Sequence, residues 1–153
     1  MLLLIVSLSL NNSINVQNDC NSCLKLTSLK GAPARVGGGF YCNNCSGIIS
    51  IEGAPKKVSG DFDCSECENL TSLVGGPKKV DGCFNCDECR KLVSLKGAPK
   101  EVGGDFNCGW CKNLTSLKGI PEVVDGDVYC EDCENLKITD QDREKYEIID
   151  RVE

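Results

Sequence analysis

Twelve of the 13 cysteines in this chain stand in Cys-x-x-Cys pairs: Cys20/Cys23, Cys42/Cys45, Cys64/Cys67, Cys86/Cys89, Cys108/Cys111 and Cys130/Cys133. Such a pair can hold half of a zinc or iron–sulfur site, cycle between dithiol and disulfide, or fill a core as small buried thiols. With 18 residues between Cys45 and Cys64, the run Cys42-x-x-Cys45…Cys64-x-x-Cys67 matches a zinc-ribbon spacing. Redox motifs sit singly at exposed helix starts, whereas here the pair recurs six times. Reduced structural thiols, disulfides within each pair, and a metal array over all twelve cysteines therefore stand as three alternatives. Reduced thiols would place the protein in the cytoplasm, and disulfides outside the cell. Cys83 is unpaired and reads as drift at an exposed position, or as a reactive thiol or an intermolecular bond. The chain has no His, which removes Ser-His-Asp and Cys-His nucleophiles, His-ligated metals and imidazole shuttles. No phosphate-binding glycine loop opens a helix, so the reading is non-enzymatic, with no cofactor expected.

The pairs keep time with everything else. Each lies 22 residues after the last, without insertion. All five prolines (Pro33, Pro55, Pro77, Pro99, Pro121) share one position of that period, and all four phenylalanines (Phe40, Phe62, Phe84, Phe106) share another. Ten of the 16 glycines fall in two further columns, one through Gly75 and one through Gly82. A fixed period of this length means stacked supersecondary units, each unable to bury its apolar face alone. In Val58 to Cys64 the side chains alternate, Phe62 and Cys64 facing one way and Asp63 the other, which is the period of a strand. Leu70 and Leu73 return three and six residues after Cys67. The glycines then break the chain at Gly75-Gly76-Pro77 and permit a second bend at Gly82. The return between Leu73 and Pro77 has no room for a helix, so it should be extended or a short 3₁₀ turn. Each coil thus offers six apolar anchors: Val58, Phe62, Cys64, Cys67, Leu70 and Leu73.

The run Phe62-x-Cys64-x-x-Cys67-x-x-Leu70-x-x-Leu73 resembles a short leucine-rich repeat of bacterial or phage type, with Cys67 at the inward Asn/Cys position. The resemblance covers about residues 14–139. Val58 stands four residues before Phe62 instead of three, and Cys67 three before Leu70 instead of two. The resemblance implies a parallel sheet and protein recognition on its concave side. The expected fold is an all-β-rich repeat solenoid of 22-residue coils with little helix except a C-terminal cap; a squarer parallel β-helix is the runner-up.

Outward positions on the strands form two columns that make the candidate binding face: Tyr41, Asp63, Asn85, Asn107 and Tyr129 in one, Asp61, Asp105 and Asp127 in the other, where Cys83 also falls. Lys56, Lys57, Lys78, Lys79 and Lys100 follow the prolines on the opposite side. With 17 Lys+Arg against 23 Asp+Glu, the net charge of −6 argues against nucleic acid, which needs a basic stripe along its phosphates. No apolar run is long enough for a transmembrane helix. The function expected is a protein-binding or structural module; a self-assembling filament or virion-type subunit and a zinc or iron–sulfur array are the alternatives. Three segments follow: 1–13, an apolar cap or signal-like segment that could also join copies into a homo-oligomer; 14–139, six coils; and 140–153, an amphipathic capping helix with Tyr146, Ile149 and Val152 on one face.

Overall fold

The computed structural model describes residues 18–150, so the segment 1–13, the start of the first coil at 14–17, and residues 151–153 with Val152 lie outside the described part. Over that span the chain winds as a parallel β-solenoid. Two strands of two residues recur in each coil. One set is β1 (Asn18–Asp19), β3 (Phe40–Tyr41), β5 (Phe62–Asp63), β7 (Phe84–Asn85), β9 (Phe106–Asn107) and β11 (Val128–Tyr129). The other is β2 (Arg35–Val36), β4 (Lys57–Val58), β6 (Lys79–Val80), β8 (Glu101–Val102) and β10 (Val123–Val124). With a final strand β12 (Ile148–Ile149), the first set makes a seven-stranded sheet in the order β1-β3-β5-β7-β9-β11-β12, and the second a five-stranded sheet in the order β10-β8-β6-β4-β2. Phe40 pairs with Phe62, Phe62 with Phe84 and Phe84 with Phe106, so neighbours in the sheet are 22 residues apart in sequence. Five such steps lead from β1 to β11, which makes about five full turns.

The strands are short because corners follow at once, and the two glycine columns make the corners for different reasons. Gly75 has φ +87°, a left-handed conformation that costs a residue with a Cβ. Gly60 is needed for close approach instead, since a Cβ there would lie 2.8 Å from the backbone nitrogen of Gly39 in the coil before. On the third side the return is extended, with bridges between Ser50 and Ser72 and between Ser116 and Lys137.

All six expected anchors of the central coil are fully buried. The phenylalanines form one column with ring centroids 5.3–5.5 Å apart and planes within 8° of parallel. A flat ring repeated at the coil spacing fills the same slot in four successive layers, so these layers stack on one another in the core.

The C-terminus departs from the expected helix over 140–153. Helix α1 spans Asp140–Lys145 and buries no side chain. Thr139 caps it: its hydroxyl accepts from the Asp142 N–H, and the Asp142 carboxylate accepts from the Thr139 N–H at 2.9 Å. Tyr146 then turns extended (φ −129°, ψ 145°) and β12 joins the sheet beside β11. Two physical reasons override the helical spacing. Ile148 and Ile149 are β-branched, and the exposed edge of β11 offers main-chain partners: the N–H of Val128 donates to the Glu147 carbonyl and that of Cys130 to the Ile149 carbonyl. Tyr146 closes over the coil from the other side, its hydroxyl donating to the Pro121 carbonyl at 2.7 Å. Ile149, placed by its spacing on a helix face, sits in a strand.

Candidate functional site

Ten of the twelve paired cysteines are buried inside the stack. Cys23 and Cys133 depart from the expected core position and are only half-buried. Both belong to terminal coils, which among the described residues are covered by a neighbouring coil from one side only, and both pack against the edge of the core. From Cys45 onward, the second cysteine of each pair points its thiol back one coil and donates to the carbonyl of the first cysteine there: Cys45 to Cys20 at 3.2 Å, Cys67 to Cys42, Cys89 to Cys64 and Cys111 to Cys86 each at 3.3 Å, Cys133 to Cys108 at 3.1 Å. A carbonyl buried at a turn must find a donor, and a thiol gives one at little polar cost. The first cysteines Cys64 and Cys86 donate forward, to the carbonyls of Asn85 and Asn107. The pairs are therefore linked between coils.

All 13 thiols are free. Burial pushes the thiols of Cys42 and Cys108 well above the ordinary value of 9.0, and those of Cys67, Cys130 and Cys133 up to about 12. Cys64 and Cys86 also rise well above it, first because each meets the neighbouring thiol, Cys89 or Cys111, and then by burial. Thiols held protonated in a core are poor nucleophiles and poor metal ligands. Among the described residues no group of three or more Cys, Asp or Glu side chains gathers that could hold a metal ion. Cys20 and Cys23 form no four-thiol cluster with Cys42 and Cys45, and the same holds for each later pair with the next. The physical reason is the ladder, which keeps the thiols in line along the axis instead of grouping them in fours.

Between the two cysteines of every pair the chain makes a left-handed residue: Ser22, Asn44, Glu66, Glu88, Trp110 and Asp132 all have φ between 52° and 56°. This is what lets both thiols of a pair face inward three residues apart. Sequence reasoning missed it, because glycine, the usual marker, stands at none of the six positions.

The two outward columns do form one continuous face, and most of their polar atoms hold the scaffold. In the first column Asp63, Asn85 and Asn107 each accept from the N–H two residues on, at 2.9, 3.2 and 2.9 Å, and so brace the left-handed turn. In the second, the Asp61 carboxylate accepts from the Cys83 N–H at 2.9 Å and the Asp105 carboxylate from the Asp127 N–H at 3.0 Å. Cys83 takes the same part between them, its sulfur accepting from the Asp105 N–H at 3.3 Å. That thiol is half-buried, and its place is a rung of an inter-coil ladder. The first column begins at Asp19, which pairs with Tyr41; the hydroxyls of Tyr41 and Tyr129 donate to Asp61 at 3.5 Å and Asp127 at 3.4 Å. Burial first and the nearby carboxylates second hold both phenols above their ordinary pKa of 10.0. Asp87, at the turn beside this face, is raised to about 6, first by burial and then by its neighbour Asp63.

The lysines after the prolines are largely paired. Lys57 reaches Asp81 at 3.1 Å, Lys79 reaches Glu101 at 2.5 Å and Lys100 reaches Glu122 at 3.1 Å, each on the following coil. Lys56 donates to the Gly75 carbonyl at 2.6 Å. The third side carries a stripe that sequence reasoning passed over: Thr27, Ile49, Thr71, Val93 and Thr115 are all exposed, all β-branched and one coil apart. Its signal was the same 22-residue period, read for apolar anchors and not for outward columns.

These observations define a class: a parallel β-solenoid with a thiol ladder in its core and columnar polar faces. Compared with known proteins, the chain matches no protein-family model, no curated protein and no solved structure. Among the described residues no helix is long and apolar enough to cross a membrane.

Proposed function

We propose that the protein is a non-enzymatic repeat scaffold of leucine-rich-repeat character that binds a protein partner through its outward strand face. The observation that carries this reading is the fixed placement of that face. Asp63, Asn85, Asn107, Asp61 and Asp105 are tied to backbone N–H groups, so their remaining oxygens stand at set positions in a polar, acidic array. Holding side chains in place before binding lowers the entropy lost on association. Tyr41 and Tyr129 add aromatic contacts within the same column, the residue type most used in recognition. The leucine-rich-repeat character rests on Cys67 and its equivalents, which satisfy a turn carbonyl from the Asn/Cys position. The partner chemistry that suits the face is a basic polypeptide segment; nucleic acid is disfavoured by like charge.

Titration of the protein with a short lysine-rich peptide, followed by backbone amide shifts, tests this. Shifts confined to the two columns, weakened by Tyr129→Ser and by salt, are expected. Shifts elsewhere, or none, would overturn the strand face as the binding surface.

A further inference from the structure

We propose that the third side of the solenoid docks on the acidic strand face of a second copy, so that copies associate side by side. The inference rests on the reading of the strand face as a binding surface and names its partner.

A solenoid converts position within the repeat into a side of the molecule, so charge counted by column is charge counted by side. The strand side with its left-handed turn, residues 18–23 and their equivalents through 127–133, holds ten Asp and Glu and no Lys or Arg. The third side, residues 24–30 and their equivalents through 134–137, holds eight Lys and Arg against three Asp and Glu. The second sheet with its corners, residues 31–38 and their equivalents through 119–126, is nearly balanced at six against four. One side thus carries a net of −10 and another +5, although the whole chain carries −6. Within one copy the two sides hardly meet. Arg90 reaches Glu88 at 3.1 Å around their shared corner, and among the described residues no other ion pair joins them. Lys25, Lys96 and Lys118 make no ion pair among the described residues. The chain therefore holds both halves of a complementary pair on separate surfaces.

The apolar surface points the same way. In the β-branched stripe of the third side Ile49 and Val93 are 62% and 56% exposed, with Val74 at 50% at the corner beside it. The acidic side offers Trp110, 43% exposed, among its carboxylates. Short side chains in the stripe let a facing side come close, and the lysine columns flank the seam. Both surfaces repeat once per coil, about 4.8 Å, so a match at one coil continues at the next. The basic charge is densest on two adjacent coils, Arg90, Lys91 and Lys96 on one and Lys112 and Lys118 on the next. Two adjacent coils also carry Asp61, Asp63 and Glu66, then Asp87 and Glu88. With the axes parallel and one copy displaced by a coil, three charges face three and two face two. The contact joins two different sides, so every pair leaves one acidic and one basic side free, and association continues past a dimer.

Sedimentation velocity on the full chain over a concentration series tests the proposal. At about 0.1 M salt the Debye length is roughly 10 Å, so facing columns attract while the charge of distant coils is screened. The apparent mass should there climb past twice 16.5 kDa, and at about 1 M salt it should return to the monomer. Two variants, each checked for fold by circular dichroism, assign the sides: Lys96→Glu with Lys118→Glu, and Glu66→Lys with Glu88→Lys. Each alone should sediment as a smaller species than the unaltered chain. An equal mixture should exceed both, since the reversed sides complement each other. A monomer at every concentration, a dimer that saturates, a mass indifferent to salt, or a mixture no larger than its components would each overturn the proposal. So would undiminished self-association in either variant, which places the contact on another surface. The lysine-rich peptide separates this inference from the reading beneath it. A chain that stays monomeric but still binds the peptide on its strand columns overturns self-docking alone, and one that does neither overturns the binding face as well.

Discussion

At the scale of the residue, Cys67 shows why so many cysteines serve this chain. Its thiol donates to the Cys42 carbonyl across a fully buried gap of 3.3 Å. A serine hydroxyl has a shorter reach and a stronger need for partners, so it would sit too far from that carbonyl and bring a polar group into an apolar core. Cys67→Ser should cost about 1–3 kcal/mol in denaturant titration, while a strong chelator leaves the native circular dichroism unchanged. Collapse on chelation would show instead that metal holds the coils. The inward direction of this thiol and its turn-carbonyl partner were legible in the alternation Phe62, Asp63, Cys64 and in the resemblance of Cys67 to the Asn/Cys position of a leucine-rich repeat. The direction of the linkage was not, since the pair that interacts is Cys42 with Cys67, whose contact depends on how one coil sits upon the next. Cys83 shows the same limit: its outward position followed from alternation, but its bond from the Asp105 N–H depends on the coil above. Cys23 shows it at the end of the stack, where the period marks it as equal to Cys67 but its burial depends on its neighbours.

At the scale of the element, the left-handed turn inside each Cys-x-x-Cys is the strained part of the coil. Glu66 holds φ 55° there, a conformation costing a residue with an ordinary side chain about 1–2 kcal/mol, while Asn visits it more readily. Glu66→Asn should therefore raise stability by about 0.5–1 kcal/mol, read as a higher denaturant midpoint at an unchanged slope; an unchanged or lower midpoint would count against strain at that turn. Strands and core were readable because one period carries both: the column of Phe62 and the column of Leu70 are visible without any structure. The C-terminal element was misread for a physical reason. Tyr146, Ile149 and Val152 have helical spacing, but spacing says nothing of an unpaired strand edge nearby, and β11 offers one. The short helix α1 itself was legible from Thr139 and Asp142, a cap and its reciprocal partner close in sequence.

At the scale of the whole molecule, the stack is bound by nearest-neighbour contacts, so damage in the middle is felt on both sides. Phe84 lies between Phe62 and Phe106 at 5.3 and 5.5 Å, and Phe84→Ala should cost about 3–5 kcal/mol; a nearly neutral result in denaturant titration would contradict the core register. Acidity acts on the molecule through two sets of groups, with the same sign. Asp87 titrates near 6 in the folded protein against an ordinary value of 3.8, so between those values the folded state holds a proton that the unfolded chain has released. Stability then falls as pH rises from about 4 to 6, by about 1 kcal/mol once solvent screening of this half-buried group is allowed for. The buried thiols repeat the effect on a larger scale. Their folded values stand well above 9.0, up to about 12 for Cys67, Cys130 and Cys133. Once the pH exceeds 9 the unfolded chain loses protons that the folded core retains, and each such thiol withdraws as much as about 1.4 kcal/mol per pH unit. Because the ladder spans every coil, these losses add over one cooperative stack. The denaturant midpoint, measured under reducing conditions, should hold nearly steady from pH 7 to 8 and drop steeply between pH 9 and 10. A midpoint that stays level through pH 10 would mean the thiols are not sealed in the core as described.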